Sequence, residues 1–303
     1  MTKKTNRRSG DERQNIIDAI LASQVTSSTL TKKSDIKRYL QQYFANVPFE
    51  DLVGRKPEVM ARIALDHLEF GATRKPDRAH LRVFNPNEKE HGYASNFTFV
   101  EMVNDDMPFL VDSVAAAINR CNLSVHITVH PIISVKRDKS GKLLSVVSAE
   151  RDDASLESFI RFAVTRETDE RALKLLGKEI TSVLADVRAA VRDWGKMRAA
   201  MRETRELLVN GPKGADPLLR TESQALLDWM VDEHFTFLGY REYRVVRKGK
   251  ATFLEAIPDT GLGVLSHKSS MHKPVELTST MQRLRRSRDW LILTKANSRS
   301  TVH

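Results

Sequence analysis

Between residues 169 and 194 the apolar side chains Leu173, Leu176, Ile180, Val183, Leu184, Val187, Val191 and Trp194 recur almost always at steps of three or four. That spacing draws one continuous stripe along a long amphipathic helix, which must lie against another layer of structure. Gly195 is expected to break or kink this helix, after which Met197, Met201, Thr204 and Leu208 continue a helical pattern to Asn210. NGPKGADP, residues 210–217, then reads as a linker.

Upstream of the long helix the pattern changes character twice. Residues 1–10 read as a disordered basic tail. Residues 11–78 form a helical part, with Ile16, Ile17, Ile20 and Leu21 on one stripe, a helix capped by Ser34, and a third helix beginning near Pro57 and ended by Gly71. Residues 79–195 then alternate strand and helix. HLRVF (80–84) and NFTFVEMV (96–103) are strands, 110–121 is a helix, 123–136 a strand, DKSG a turn, and 143–148 and 158–165 two more strands. After a helical linker and loop, 196–220, residues 221–303 begin a second α/β unit. There Thr221 caps a helix, 234–246 and 251–257 pair as strands, 282–286 is helical and WLILT (290–294) is a strand. This unit reads as truncated at His303. The fold class is α+β.

Composition limits what such a chain does. At 303 residues it has room for about two domains of ~150 residues. It has no run of ~18 apolar residues and no secretory core after its basic start, so neither a membrane span nor export is expected. One cysteine, Cys121, excludes an internal disulfide framework and fits a reducing cytoplasm. Cys121 ends a helix on its apolar side and reads as a core residue. The net charge of +10, with arginines clustered in RLRRSR (283–288), raises nucleic-acid binding as an alternative. No aromatic-interleaved basic motif or zinc-finger spacing supports it.

The chemistry concentrates in VNDDMPFLVDSVAAAINRCNLSVHITVHP, residues 103–131. Asp105 and Asp106 are adjacent on an extended segment, so their side chains diverge and cannot share one proton or metal. Two readings stand side by side. The acids cap the helix that follows, with Pro108 in its first turn. Or the strand-to-helix loop holds a small polar ligand on its exposed N–H groups. His126 and His130 lie on one face of a strand but about 13 Å apart at ~3.3 Å per residue, too far to share a metal. Gly261-Leu262-Gly263 lacks the third glycine of a dinucleotide fingerprint and reads as a turn.

Several stretches carry a resemblance. NDDMPFLVDSVAAAINRCNLSVHITVHPIISVKRDKSGKL resembles the N-terminal region of the large, NAD-specific bacterial glutamate dehydrogenases. ADVRAAVRDWGKMRAAM, LLDWMVDEHFTFLGYREYRV, TGLGVLS and LTKANSRSTVH resemble the same region in the same order. The resemblance implies ACT-like domains, small α/β modules that bind amino-acid effectors and pair across subunits. It also implies a catalytic domain downstream that oxidatively deaminates L-glutamate with NAD. This chain would then be a non-catalytic regulatory and assembly segment, homo-oligomeric and cytoplasmic, holding no cofactor or metal of its own. A ligand-insensitive oligomerisation scaffold is the other reading. The β-α-β-β-β-α order resembles an ACT domain with its last strand and helix exchanged. Asn104, Asp105, Asp106 and Pro108 match the placement of the ligand loop in that family, but Phe109 stands where glycine is usual, and glycine lets a ligand approach the backbone.

Overall fold

The computed structural model describes residues 2–23, 26–30, 32–148, 154–209, 211, 216–266 and 274–286, and they fall into two compact units, Met1–Ser182 and Val183–His303. The first unit opens with helices α1 (Thr2–Ala22), α2 (Lys33–Phe44), α3 (Phe49–Leu52) and α4 (Pro57–Phe70). Strand β1 (His80–Phe84), the short helix α5 (Glu88–His91), β2 (Thr98–Asp105) and α6 (Leu110–Arg120) follow. Then come β3 (Val125–Val129), β4 (Ile132–Arg137), β5 (Leu143–Val146), β6 (Ser155–Val164) and α7 (Glu170–Val209), which continues into the second unit.

The sheet of the first unit is antiparallel throughout, in the order β1-β2-β6-β4-β5, with β3 also paired to β6. Strands β2 and β3 both oppose β6, so they run parallel with β6 between them, and α6 makes the crossover. The single strand expected over 123–136 is two. Pro131 cannot donate to a ladder, and the chain pairs with β6 first through Val125–Val129 and again from Ile132.

Period-2 alternation sets the two faces of this sheet. Glu101, Val103 and Asp105 on β2 share a face with Glu157, Phe159 and Arg161 on β6, since Glu101 opposes Arg161 and Asp105 opposes Glu157. Helices α2 and α4 cover that face. The rings of Tyr39 and His67 meet Phe159 edge-on, and one apolar core runs from Ile17 and Ile20 through Tyr39, Leu65 and Leu68 to Val103, Ile133 and Phe159. The helical part expected to end at residue 78 therefore shares its core with the sheet, and no boundary falls there. Helices such as α4 carry an apolar face that only another layer can bury; here the sheet supplies it.

Other differences are local. Residues 2–10, expected as a disordered tail, are the first turns of α1. Ser34 lies inside α2, whose N-cap position is Lys32 with no side-chain cap bond. Gly195 leaves α7 unbroken over 40 residues, because one glycine costs only about 1 kcal/mol in a helix. No helix among the described residues is long and apolar enough to cross a membrane.

In the second unit α8 (Pro217–Trp229) is capped by Asp216, which accepts from the Leu218 N–H at 3.0 Å; Thr221 lies one turn inside and donates to the Pro217 carbonyl. After α8 the chain leaves helical geometry at Asp232 (ψ 45) and Glu233 (φ 61). Short strands β7 (Gly239–Tyr240) and β10 (Leu262–Gly263) pair, while β8 (Tyr243–Lys248), β9 (Ala251–Ala256) and β11 (Val275–Glu276) form a separate sheet, before α9 (Ser279–Arg286). The expected strand 234–246 is thus divided, since its two ends pair with different partners. Gly263 takes φ +58, and a Cβ there would stand 2.2 Å from the Leu238 carbonyl oxygen, so the position admits only glycine. Asp193 of α7 accepts from the Gly263 N–H at 2.9 Å and fixes this turn. The strand expected over 290–294 lies outside the described residues.

Candidate functional site: the acidic loop and its arginines

The end of β2 carries the predicted residues Asn104 and Asp105, and the loop from there to α6 carries Asp106 and Pro108. Its two carboxylates diverge, as adjacent residues on extended backbone must, but neither caps α6. The N-cap position is Phe109, with φ 70 and no side-chain cap bond. Asp105 instead accepts from the Arg74 guanidinium, and Asp106 accepts from the Ser158 hydroxyl at 2.6 Å. Asn104 is buried and donates to the Asp105 carbonyl at 2.9 Å. Pro108 is exposed. Phe109 keeps the left-handed backbone that glycine favours, at a cost of about 1–3 kcal/mol that its surroundings must hold.

The histidines do not meet each other. His126 lies 3.2 Å from the Thr165 hydroxyl, and His130 lies 3.0 Å from the Ser158 hydroxyl. Ser158 lies in the first half of β6 and Thr165 just past its end, and no group of His, Cys, Asp and Glu among the described residues could hold a metal. Asp106, Ser158 and His130 do form a chain. The Ser158 proton faces Asp106, so His130 Nε2 must donate to Ser158 rather than withdraw its proton. That polarity is the reverse of what activates a serine nucleophile. Burial pulls the His130 pKa below its ordinary value, with Asp106 opposing.

Beneath the loop lie two clusters of one design, each a buried glutamate between two arginines. Glu157 accepts from Arg74 at 2.9 and 3.2 Å, and its two carboxylate oxygens take Arg137 Nε and Nη2, both at 2.8 Å. Arg137 also donates to the Gly71 and Gly141 carbonyls at 2.9 and 2.8 Å. The turn at Gly141 (φ +87) fits only glycine, because a Cβ would overlap the Arg74 carbonyl. Two rows further along the same face of the sheet, past Val103 and Phe159, Arg82, Glu101 and Arg161 stand opposite one another on β1, β2 and β6. Glu101 accepts from Arg82 Nε at 2.8 Å and from Arg161 Nε at 2.5 Å. Arg82 reaches on to Asp66 of α4 at 2.6 Å, which also accepts from the Tyr93 hydroxyl at 2.9 Å.

These surroundings set the charges. Burial would raise the Glu101 pKa, but Arg161 and Arg82 override it and hold it at about 2. Burial likewise opposes charge on Arg161, yet Glu101 raises its pKa above the ordinary arginine value. His67, fully buried, is pushed down to about 3 by desolvation. Its Nε2 faces the Met102 carbonyl at 3.3 Å and its Nδ1 the Tyr43 hydroxyl at 3.2 Å. A carbonyl can only accept, so Nε2 carries the proton and Tyr43 donates to Nδ1. Sequence reading singled out none of Arg74, Glu101, Glu157 or Arg161. The available signal was a charge inside an otherwise apolar strand, as in TFVEMV and SFIRFAV.

Residues 39–180 match the family described as glutamate dehydrogenase, ACT1 domain. The chain is 34% identical over 236 residues to an NAD-specific glutamate dehydrogenase of Halomonas elongata, covering 77% of this chain and 15% of that protein. The chain belongs to the NAD-specific glutamate dehydrogenase family. A Pseudomonas aeruginosa relative of the same name is 32% identical over 68% of the chain and 13% of its own length, and a Mycobacterium tuberculosis relative 27% identical over 48% and 9%. The chain thus spans about a seventh of the first two relatives' length. The acidic loop, α6 and both arginine clusters fall within the ACT1 match, while α1 and the start of α2 precede it.

Proposed function

We propose that this chain is a regulatory and assembly segment, non-catalytic by itself, of a longer cytoplasmic NAD-dependent glutamate dehydrogenase. The whole enzyme would convert L-glutamate, NAD and water to 2-oxoglutarate, ammonia and NADH in a catalytic domain downstream, where NAD would bind. The observation that carries this reading is the ACT1 match over residues 39–180, which takes in the β2-loop-α6 unit. We read the sheet of the first unit, with the helices that share its core, as an ACT-like domain that pairs with copies of itself. Asn104, Asp105, Asp106 and Pro108 serve this role by fixing the loop. Both carboxylates already hold protein groups, Arg74 and Ser158, which favours packing over direct effector contact at this loop.

The 303-residue chain supplied with glutamate and NAD is expected to form no NADH, and to run as a dimer or larger species in sizing experiments. NADH formation would overturn the non-catalytic reading. A monomer at all concentrations would overturn the assembly role.

A further inference from the structure

An open cavity of about 550 Å³ lies between the end of α4 and the turn that leads into β1, with Phe70, Thr73, Lys75, Arg78 and His80 on its wall. The turn is held from beneath. Arg74 donates through Nη1 to the Arg78 carbonyl at 3.2 Å and through its backbone N–H to the Gly141 carbonyl at 3.0 Å, and Thr73 bridges to Lys142. A turn fixed in this way presents its side chains with little further ordering on binding. Lys75 and Arg78 are exposed, and among the described residues neither side chain makes an ion pair or hydrogen bond. The charges around them are already engaged. Arg74 holds Glu157 and Asp105, Glu69 on the same wall holds Arg62, and Asp77 between the two cations has a partner. Two cations therefore face the cavity without a counter-charge, and such a pair suits a phosphate.

The aromatic part of the wall selects what carries that phosphate. The half-buried His80 ring lies on the Phe70 ring, with centroids 4.2 Å apart and planes 22° from parallel. Phe70 takes one face of His80, and no other ring among the described residues takes the second. Burial, with Arg137 and Arg82 nearby, holds the His80 pKa below its ordinary value, so the ring is uncharged at neutral pH. Every nucleobase has a flat face that stacks on such a ring. We propose that this cavity binds a nucleoside phosphate, its base on the open face of His80 and its phosphate on Lys75 and Arg78, with the Thr73 hydroxyl as a further donor. At about 10–15 Å³ per non-hydrogen atom, the roughly 23 such atoms of AMP need about 230–345 Å³, which the cavity holds. The site does not depend on the role proposed above.

Calorimetric titration of the 303-residue chain tests this with AMP, adenosine (no phosphate) and inorganic phosphate (no base). Saturable binding of AMP is expected, with each half-ligand weaker by about tenfold or more, the scale of one lost charge-assisted contact. The double variant Lys75→Ala, Arg78→Ala should weaken AMP by a similar factor and leave adenosine unchanged; both side chains are exposed, so an unchanged thermal melt should show that the fold is kept. His80→Leu should weaken AMP and adenosine and leave inorganic phosphate unchanged. No saturable AMP binding, inorganic phosphate binding as tightly as AMP, or native AMP affinity in the Lys75→Ala, Arg78→Ala chain would each overturn the proposal.

Discussion

The clusters around Glu101 and Glu157 are near copies, each a buried glutamate on a central strand with an arginine on either side, yet they serve different ends. The Glu101 cluster ties layers together. It joins three strands, and through Asp66 and the Ile63 carbonyl it fastens α4 to the sheet. The Glu157 cluster ties loops. Through Arg74 and Arg137 it holds the acidic loop, residues 71–78 and the turn at Gly141. The Asp105 side chain keeps 36% of its surface exposed, while the side chains of Glu101 and Glu157 keep 0% and 1%. The same ionic design thus fixes the fold where both carboxylates, Glu101 and Asp66, are buried, and positions a surface loop where one carboxylate, Asp105, reaches solvent.

Breaking the first cluster should cost most. Glu101→Gln leaves the buried Arg161 without its carboxylate and Arg82 with Asp66 alone, and is expected to lower stability to urea by about 3–5 kcal/mol. Glu157→Gln should cost less, about 1.5–3 kcal/mol, because Arg74 keeps Asp105 and Arg137 keeps the Gly71 and Gly141 carbonyls. Equal losses in the two variants would erase the distinction between the clusters.

Acid tests the Glu101 cluster and the neighbouring His67. A carboxylate whose pKa falls on folding gives stability above its unfolded value and loses it as pH drops through the folded one. For Glu101 that window runs from about 4.5 down to about 2. A buried neutral histidine acts in the same direction but earlier. Below pH 6.5 the unfolded chain protonates His67 and the folded chain does not, until about pH 3. Stability measured against pH should therefore fall between 6.5 and 4.5 in the native chain by up to about 1.4 kcal/mol per unit more steeply than in His67→Gln. Parallel curves would show that His67 is protonated in the fold.

The smallest effect is expected at the loop surface. Asp106→Asn keeps an acceptor for Ser158 and removes one exposed charge, so denaturant midpoints should shift by less than about 1 kcal/mol. A larger loss would mean that Asp106 belongs with the buried clusters.

Much of the architecture was legible in the sequence. The strand His80–Phe84 and the helix from Leu110 follow from local pattern, as does the long helix from residue 170. Local pattern did not show that α2 and α4 share a core with the sheet, because an amphipathic stripe says that a face is covered and not by what. It also did not show the clusters. Glu101 meets Arg82 and Arg161 only through strand register, 19 and 60 residues away in sequence. Asp105 and Asp106 were correctly read as divergent, but their capping role failed. Phe109 turns the chain left-handed at the point where a cap would stand, and Arg74 and Ser158 offer the acids other partners.

The central claim is that this segment acts on assembly and effector response rather than on chemistry. Deleting residues 1–303 from the longer enzyme and measuring oligomer size, effector response and NAD-dependent glutamate oxidation together tests it most directly. The account predicts a smaller assembly that no longer responds to effectors and still oxidises glutamate at each remaining catalytic site. An enzyme that kept normal assembly and normal effector response without these residues would contradict it.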